Sequence, residues 1–211
     1  MDEIAARTNR RNSPRLLSFR ELHGAFSLVE LLIVVAIIIL LASAVIPATS
    51  NVLKGANLNR AGQMVSDQLS VARQEAVSRN QDVEVRFYNI TNGLAGGWRA
   101  LRTMRIEQTP TGPVTNALGR LVTLPDSTII SVSGNLSPLI SDATSRSEAL
   151  GAYGQVPYRA LKFRPNGSLE VGVGTNNYLT LVDRIETSES PANYYTIQIN
   201  SLSGKTTVFR P

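Results

Sequence analysis

Between Phe26 and Ile46 nearly every position is aliphatic, and the single ionisable side chain is Glu30. Apolar residues fall on all sides of the helix this run predicts. Its length matches the roughly 20 residues an α-helix needs to cross a bilayer core. From Ala48 to about Asn80 the pattern changes. Val52, Leu58, Ala61, Val65, Leu69, Ala72 and Ala76 recur mostly three or four apart, with Lys54, Arg60, Asp67, Arg73 and Glu75 between them. That is one apolar stripe on a polar helix, packed on its own domain, on a neighbour, or on both. Gly55 and Gly62 each weaken the helix by roughly 1 kcal/mol, which predicts some local melting. Pro47 removes one helix hydrogen bond and predicts a bend or interruption. Asn80 and Gln81 read as the helix stop.

Beyond residue 80 the period falls to two. Val83, Val85 and Phe87 alternate with Glu84, Arg86 and Tyr88, the signature of a strand. Asn92-Gly93 and Gly96-Gly97 mark a loop before a second strand at 98–106, which predicts a hairpin. The turn-rich segment 109–113 follows, then short apolar runs at 121–124 and 128–132. Residues 133–157 mix Ser, Gly, Pro and Leu without a period and read as a variable loop with one helical turn near 145–150. Strands resume at 158–163, 168–173, 178–182, 195–199 and 206–209, separated by turns such as Pro165-Asn166-Gly167. The expected fold is therefore α+β, a long N-terminal helix packed on an antiparallel sheet or sandwich. The expected segments are a basic leader at 1–25, a membrane helix at 26–47, an amphipathic stalk at 48–80 and a β-rich domain at 81–211.

Charge sets the topology. Five arginines precede the apolar run; a short basic flank stays cytoplasmic, so the C-terminal part faces outward. The 211 residues carry a net +5, but without residues 1–25 sixteen basic and thirteen acidic side chains remain. A net +3 is too small to be read as a nucleic-acid footprint. There is no Cys to staple the domain, and the one histidine, His23, lies in the leader. A mature chain without His or Cys cannot build a Ser-His-Asp triad, a Cys-His pair or an ordinary zinc site. No catalytic residue, metal or cofactor is expected. Ser-Lys and paired-carboxylate chemistry stay formally open, with no spacing that suggests either. A competing reading of the N-terminus is an ordinary secretory signal cut after Ala42-Ser43-Ala44.

Phe26-Ser27-Leu28-Val29-Glu30, behind a basic leader and ahead of an aliphatic run, resembles the processing site of type IV prepilins and pseudopilins. The resemblance implies that a prepilin peptidase cuts between Ala25 and Phe26, methylates the new amine of Phe26 and leaves Glu30 fifth in the mature chain. The family usually has Gly before the cut; this chain has Ala25, with Gly24 one place earlier. The resemblance also implies that the Glu30 carboxylate pairs with the Phe26 amine, of a neighbouring subunit or its own chain, and sets helix register. Pro47 falls where many pilin helices bend. In physical terms a carboxylate within a membrane helix costs a few kcal/mol unless it finds a partner. The plain alternative is a carboxylate near enough to the headgroups to stay hydrated.

The run from Ala72 to Asn80, leading straight into the strand at 83–88, resembles the FimT and GspH type of minor pilin. Across FRPNGS, NYYTIQIN and VFRP the chain is also similar to a cassette-encoded prepilin-like family called Verru_Chthon cassette protein D. These resemblances imply a structural subunit, a minor pilin or pseudopilin of a type IV pilus or type II secretion pseudopilus. It would wait in the inner membrane as a single-pass protein with its N-terminus in the cytoplasm. Its partners would be prepilin peptidase and other pilin subunits, met through the N-terminal helix. The alternative is a DNA- or cargo-binding tip subunit of a transformation pilus, because some FimT-like proteins bind DNA. The candidate DNA contacts are Arg99, Arg105, Lys205 and Arg210. Arg99 and Arg105 share one strand face while Arg102 points to the other. Gly204-Lys205-Thr206-Thr207 keeps one cation where the DNA-binding motif pairs arginines, so a solvated charged face is the ordinary reading. Trp98, Tyr153, Tyr158, Tyr194 and Tyr195 read as core or cross-strand packing rather than a ligand platform.

Overall fold

The computed structural model describes residues 26–92, 95–170, 176–186 and 188–211, with the side chains of residues 44–51, 92 and 95 outside the description. The chain divides into two compact units, residues 1–45 and 46–211. A single helix of 52 residues, α1 (Leu28–Arg79), contributes to both. In the first unit every residue from Phe26 to Ser43 is exposed, as an all-round aliphatic helix is when none of the unit's described residues covers it.

The second unit continues α1 into β1 (Asp82–Asn92), β2 (Ala95–Thr109), β3 (Gly112–Ala117), β4 (Val122–Thr123) and β5 (Thr128–Ile130). A one-turn helix α2 (Pro138–Ser141), β6 (Arg146–Ala149), a 3-10 turn (Gly151–Tyr153), β7 (Gln155–Phe163) and β8 (Leu169–Glu170) follow. β9 (Tyr178–Asp183), β10 (Tyr194–Ile199) and β11 (Thr206–Phe209) complete the chain. One sheet runs β3-β2-β1-β7-β6, with β4 beside β2 and β8 beside β7; the other runs β11-β10-β9-β5. All pairings are antiparallel. The protein is α+β.

The core forms where the α1 stripe meets the inner faces of both sheets. Leu58, Ala61, Val65, Leu69, Ala72 and Ala76 cluster with Val83, Val85, Phe87, Leu101, Leu161 and Phe163 of the first sheet. Leu179, Leu181, Tyr195, Ile197 and Ile199 of the second sheet join the same cluster. Alanines at the end of the stripe let the sheet approach the helix closely. The helix does not melt at its glycines. A Cβ on Gly62 would sit within 3.0 Å of three ring carbons of Tyr195, so this glycine is the seat for an aromatic ring from β10. The C-terminus of α1 is a Schellman motif. Asn80 takes φ 52°, its N–H bonds the Val77 carbonyl at 3.4 Å, and Gln81 N–H bonds the Ala76 carbonyl at 3.2 Å. Asn tolerates this left-handed conformation better than most residues.

Two expectations change. The segment 133–157 is not a loop with a turn near 145–150. It holds α2, whose Leu139 and Ile140 join the main core, the edge strand β6 of the first sheet, and the 3-10 turn over that sheet's outer face. There Leu150, Val156 and Tyr158 pack with Tyr88, Ile90 and Ala100 as a second apolar cluster. The polar alternation of β1 is accordingly buried on both faces, with Glu84 4% and Arg86 5% exposed. Segment 109–113 turns the chain tightly into β3, an edge strand that carried no apolar period. Of the strand expected at 168–173, residues 171–173 lie outside the described residues.

Candidate functional site

The first turn of α1 is set by Ser27. Its Oγ accepts a hydrogen bond from the Glu30 N–H at 3.1 Å, and its carbonyl accepts the Leu31 N–H at 3.1 Å. Ser27 is thus the N-cap, with Glu30 three residues on, the sequence form of a capping box. Glu30 in the first turn also favours the positive end of the helix dipole. Phe26, 74% exposed, precedes the cap and is not helical.

From there the rod is bare. Leu28 is 80% and Leu40 71% exposed, and the aliphatic residues between them are uncovered as well. Ser43 turns its hydroxyl back to the Leu40 carbonyl at 2.7 Å, which satisfies the one polar side chain near the end of the described stretch. Among the described residues no helix is long and apolar enough to cross a membrane. The described part of the apolar run stops at Ser43, while the sequence carries it on to Ile46. The expected cut involves Ala25, and the bend expected at Pro47 involves a side chain at the seam between the units. Ala25 lies outside the described residues; α1 runs on through Pro47, whose side chain is not described.

The four candidate DNA contacts do not form one surface. Arg99 is a correction: it is 1% exposed and sits where the register of β1 and β2 slips, between the partners of Tyr88 and Asn89. Its Nη2 donates to the Leu124 carbonyl at 3.2 Å and to Asp126. A guanidinium enclosed this way cannot reach a phosphate. Arg105 is paired with Glu107 at 3.4 Å. Lys205 and Arg210 flank β11 in the other sheet. Arg210 donates to Asn193 at 3.1 Å and to Asn59, and lies 5.7 Å from the Tyr195 ring. It ties the chain end to α1 and β10.

Two features escaped the sequence reading. One is the Ser27 cap, legible in S-x-x-E but overshadowed by the prepilin motif that contains it. The other is a buried charged network on the outer face of the first sheet. Arg86 pairs with Glu84 at 2.5 Å and with Glu148, which also accepts the Tyr88 hydroxyl. Its guanidinium lies 4.7 Å from the Tyr158 ring. Burial, then donation to Glu148, pushes the Tyr88 hydroxyl well above the ordinary tyrosine range. Sequence could not find it, because Glu148 comes from β6, a strand without a pattern. An open cleft of about 420 Å³ lies between Lys54, Leu58, Asp183, Glu186 and Asn193. Lys54 and Asp183 neutralise each other there at 3.6 Å, and nothing in it converges on a reacting group. Among the described residues no three His, Cys, Asp or Glu side chains gather where they could hold a metal.

An amphipathic helix seated on two antiparallel sheets, continued N-terminally by a bare aliphatic segment, defines an α+β protein of pilin-like build. The chain belongs to the family of type II transport protein GspH, whose family model matches residues 61–204. No curated protein matches. Two solved structures of the minor pseudopilin EpsH from the type 2 secretion system of Vibrio cholerae are similar to it. One has 13% identity and a TM-score of 0.41 and covers 74% of this chain and 98% of its own. The other has 14% identity and a TM-score of 0.42 and covers 74% of this chain and 96% of its own.

Proposed function

We propose that this chain is a minor pseudopilin, a structural subunit of a type II secretion pseudopilus that works by assembly and catalyses no reaction. The observation that carries the proposal is the contrast within α1. Its later turns bury an apolar stripe in the β domain, whereas every described aliphatic residue from Phe26 to Leu41 is left uncovered. So large a contiguous apolar surface is unstable in water and calls for lipid, other helices, or both in turn. Membership of the GspH family supports type II transport over a pilus of another kind. In this reading the precursor is held in the inner membrane with residues 1–25 in the cytoplasm. Prepilin peptidase cuts between Ala25 and Phe26 and methylates Phe26. The helix then leaves lipid to pack on the helices of other subunits.

Glu30 sets the register. With one carboxylate in the aliphatic run, sliding a neighbour by a single turn strands a charge in an apolar seam. Pairing Glu30 with the Phe26 amine removes two charges from that environment together. Pro47 supplies the bend between the packed helix and the β domain. Mass spectrometry of the chain recovered from a host with prepilin peptidase tests this directly. A mature chain beginning at N-methylated Phe26 is expected. One beginning at Val45 would mean an ordinary signal peptide and would sink the proposal. In the same host Glu30→Leu is expected to leave the protein in the membrane but out of the fibre.

A further inference from the structure

We propose that the free edge of β11 docks one extended segment of a neighbouring subunit, apolar in its middle and acidic at both ends, which adds to the second sheet as a further strand. The inference rests on the assembly reading above and gives the β domain a contact of its own. Edge strands present unpaired N–H and C=O groups, and proteins that stay apart blunt them with charge, proline or brevity. Among the described residues three of the four outer strands are blunted. β3 carries Pro113, β6 carries Arg146 and Glu148 within four residues, and β5 is three residues long. β11 reads Thr206-Thr207-Val208-Phe209, with no charge, proline or glycine, and Val208 is 42% and Phe209 49% exposed.

The ladder shows which backbone groups are free. Asn200 N–H bonds the Lys205 carbonyl at 2.9 Å, and the register runs on from Ile199 opposite Thr206 to Thr196 opposite Phe209. Bonded and non-bonded pairs alternate in an antiparallel ladder. Thr207 and Phe209 therefore bond β10, while the N–H and C=O groups of Thr206 and Val208 point off the edge, the arrangement that strand addition uses. Val208 shares the face of Thr206, whose Oγ1 lies 3.5 Å from Ser66 Oγ of α1. Charge selects the occupant. Lys205 and Arg210 stand at the two ends of β11, and among the described residues neither pairs with a carboxylate; Arg210 meets the neutral Asn59 and Asn193. A second copy does not fit. Pairing β11 with itself, centred on Thr207 or Val208, lays Lys205 of each copy beside Arg210 of the other, and like charges across strands repel. It would also run the two α1 helices in opposite directions, which a fibre of helices leaving one membrane does not allow. A phosphate backbone would meet the two cations but not the alternating donors and acceptors between them. An apolar strand with an acid at each end satisfies both.

The test uses the full-length chain in detergent micelles and a fluorescein-labelled hexapeptide, EVTVTE, blocked at its ends and read by fluorescence anisotropy. Saturable binding is expected, with KVTVTK about tenfold weaker. Val208→Pro removes one outward N–H and leaves the bonds of Thr207 and Phe209 to β10 in place, so it is expected to weaken EVTVTE about tenfold. Val208→Lys, which keeps the backbone unchanged, is expected to do the same. EVTVTE bound no better than KVTVTK overturns the inference, and so does undiminished binding by both Val208 variants. A chain that dimerises through this edge, with a sedimentation mass halved by Val208→Lys, overturns it too. So does one that binds duplex DNA in place of the peptide and loses it in Lys205→Glu. In a host with prepilin peptidase, Val208→Pro is expected to be cut like the unaltered chain but to enter the fibre less. A Val208→Pro chain present in the fibre at the full level overturns the docking edge and leaves assembly standing. An unaltered chain absent from the fibre overturns the assembly reading, and the inference falls with it.

Discussion

Replacing Gly62 by alanine sets two well-measured effects against each other, and the structure says which one wins. In an exposed helix interior Gly→Ala gains up to about 1 kcal/mol, because glycine has more backbone freedom to lose. At Gly62 the new methyl would lie within 3.0 Å of three Tyr195 ring carbons, where unforced contact begins near 3.4 Å. Either the ring or the helix must retreat by roughly half an ångström or more. Tyr195 is 5% exposed, sits in the continuous core and lies under the Arg210 guanidinium, 5.7 Å from its ring centre. Its room to move is small. Overpacking of this kind costs about 1–3 kcal/mol. The helix gain offsets part of it, leaving a net loss of about 1–2 kcal/mol. Urea unfolding of residues 46–211, followed by circular dichroism, reads it. With a slope of about 1–3 kcal/mol per molar the midpoint should fall by roughly 0.3–2 M. The sign should reverse in a Tyr195→Ala background, where the methyl has space and only the helix gain remains. A Gly62→Ala variant as stable as the unaltered domain, or one equally destabilised without the ring, would refute the reasoning.

Gly55→Ala, in the same helix, meets nothing within 4 Å, so it should raise the midpoint by the equivalent of about 0.5–1 kcal/mol. Arg86→Met should cost about 3–5 kcal/mol, because it leaves the 4% exposed Glu84 charged and unpaired. Changing Glu84 to Met as well should recover much of that loss, and a double variant no better than the single one would contradict it. Alkaline titration tests the hydroxyls. Burial pushes up both Tyr88, helped by its bond to Glu148, and Tyr195 from their ordinary value of 10.0. A raised pKa favours the protonated native state, so this stability is complete below about pH 10 and is lost as pH rises through the native values. Tyr88→Phe should make the decline in urea midpoint above about pH 10 shallower. An unchanged slope would mean that Tyr88 ionises freely in the fold.

Much of the fold was legible because it rests on local rules. The stripe from Leu58 to Ala76 buries as its spacing predicts, and Asn80 ends the helix through its own tolerance of positive φ. The hairpin of β1 and β2 follows from alternation and glycine turns, and β9, β10 and β11 fall close to where short apolar runs put them. The failures share one cause. β3 and β6 are edge strands whose side chains are largely exposed, so no apolar period marks them, and they exist only because β2 and β7 offer backbone partners. Gly62 read as a helix weakness because its reason, the Tyr195 ring, arrives from more than a hundred residues away. Arg99 read as a surface cation because alternation assigns a face but not which face is covered.

Sequence alone therefore determined the plan. A rod apolar on every side with one carboxylate near its start is a consequence of composition, and so is an amphipathic continuation running into strands. No tertiary contact is needed to impose either. The tertiary structure decided where charge is tolerated. Glu84 and Arg86 can be buried because Arg86 stands within hydrogen-bonding distance of Glu84 and of the half-buried Glu148 on β6. Arg99 can be enclosed because the Leu124 carbonyl and the Asp126 carboxylate accept its hydrogen bonds. Burying a charge depends on which partner stands opposite, and that is a property of the folded chain.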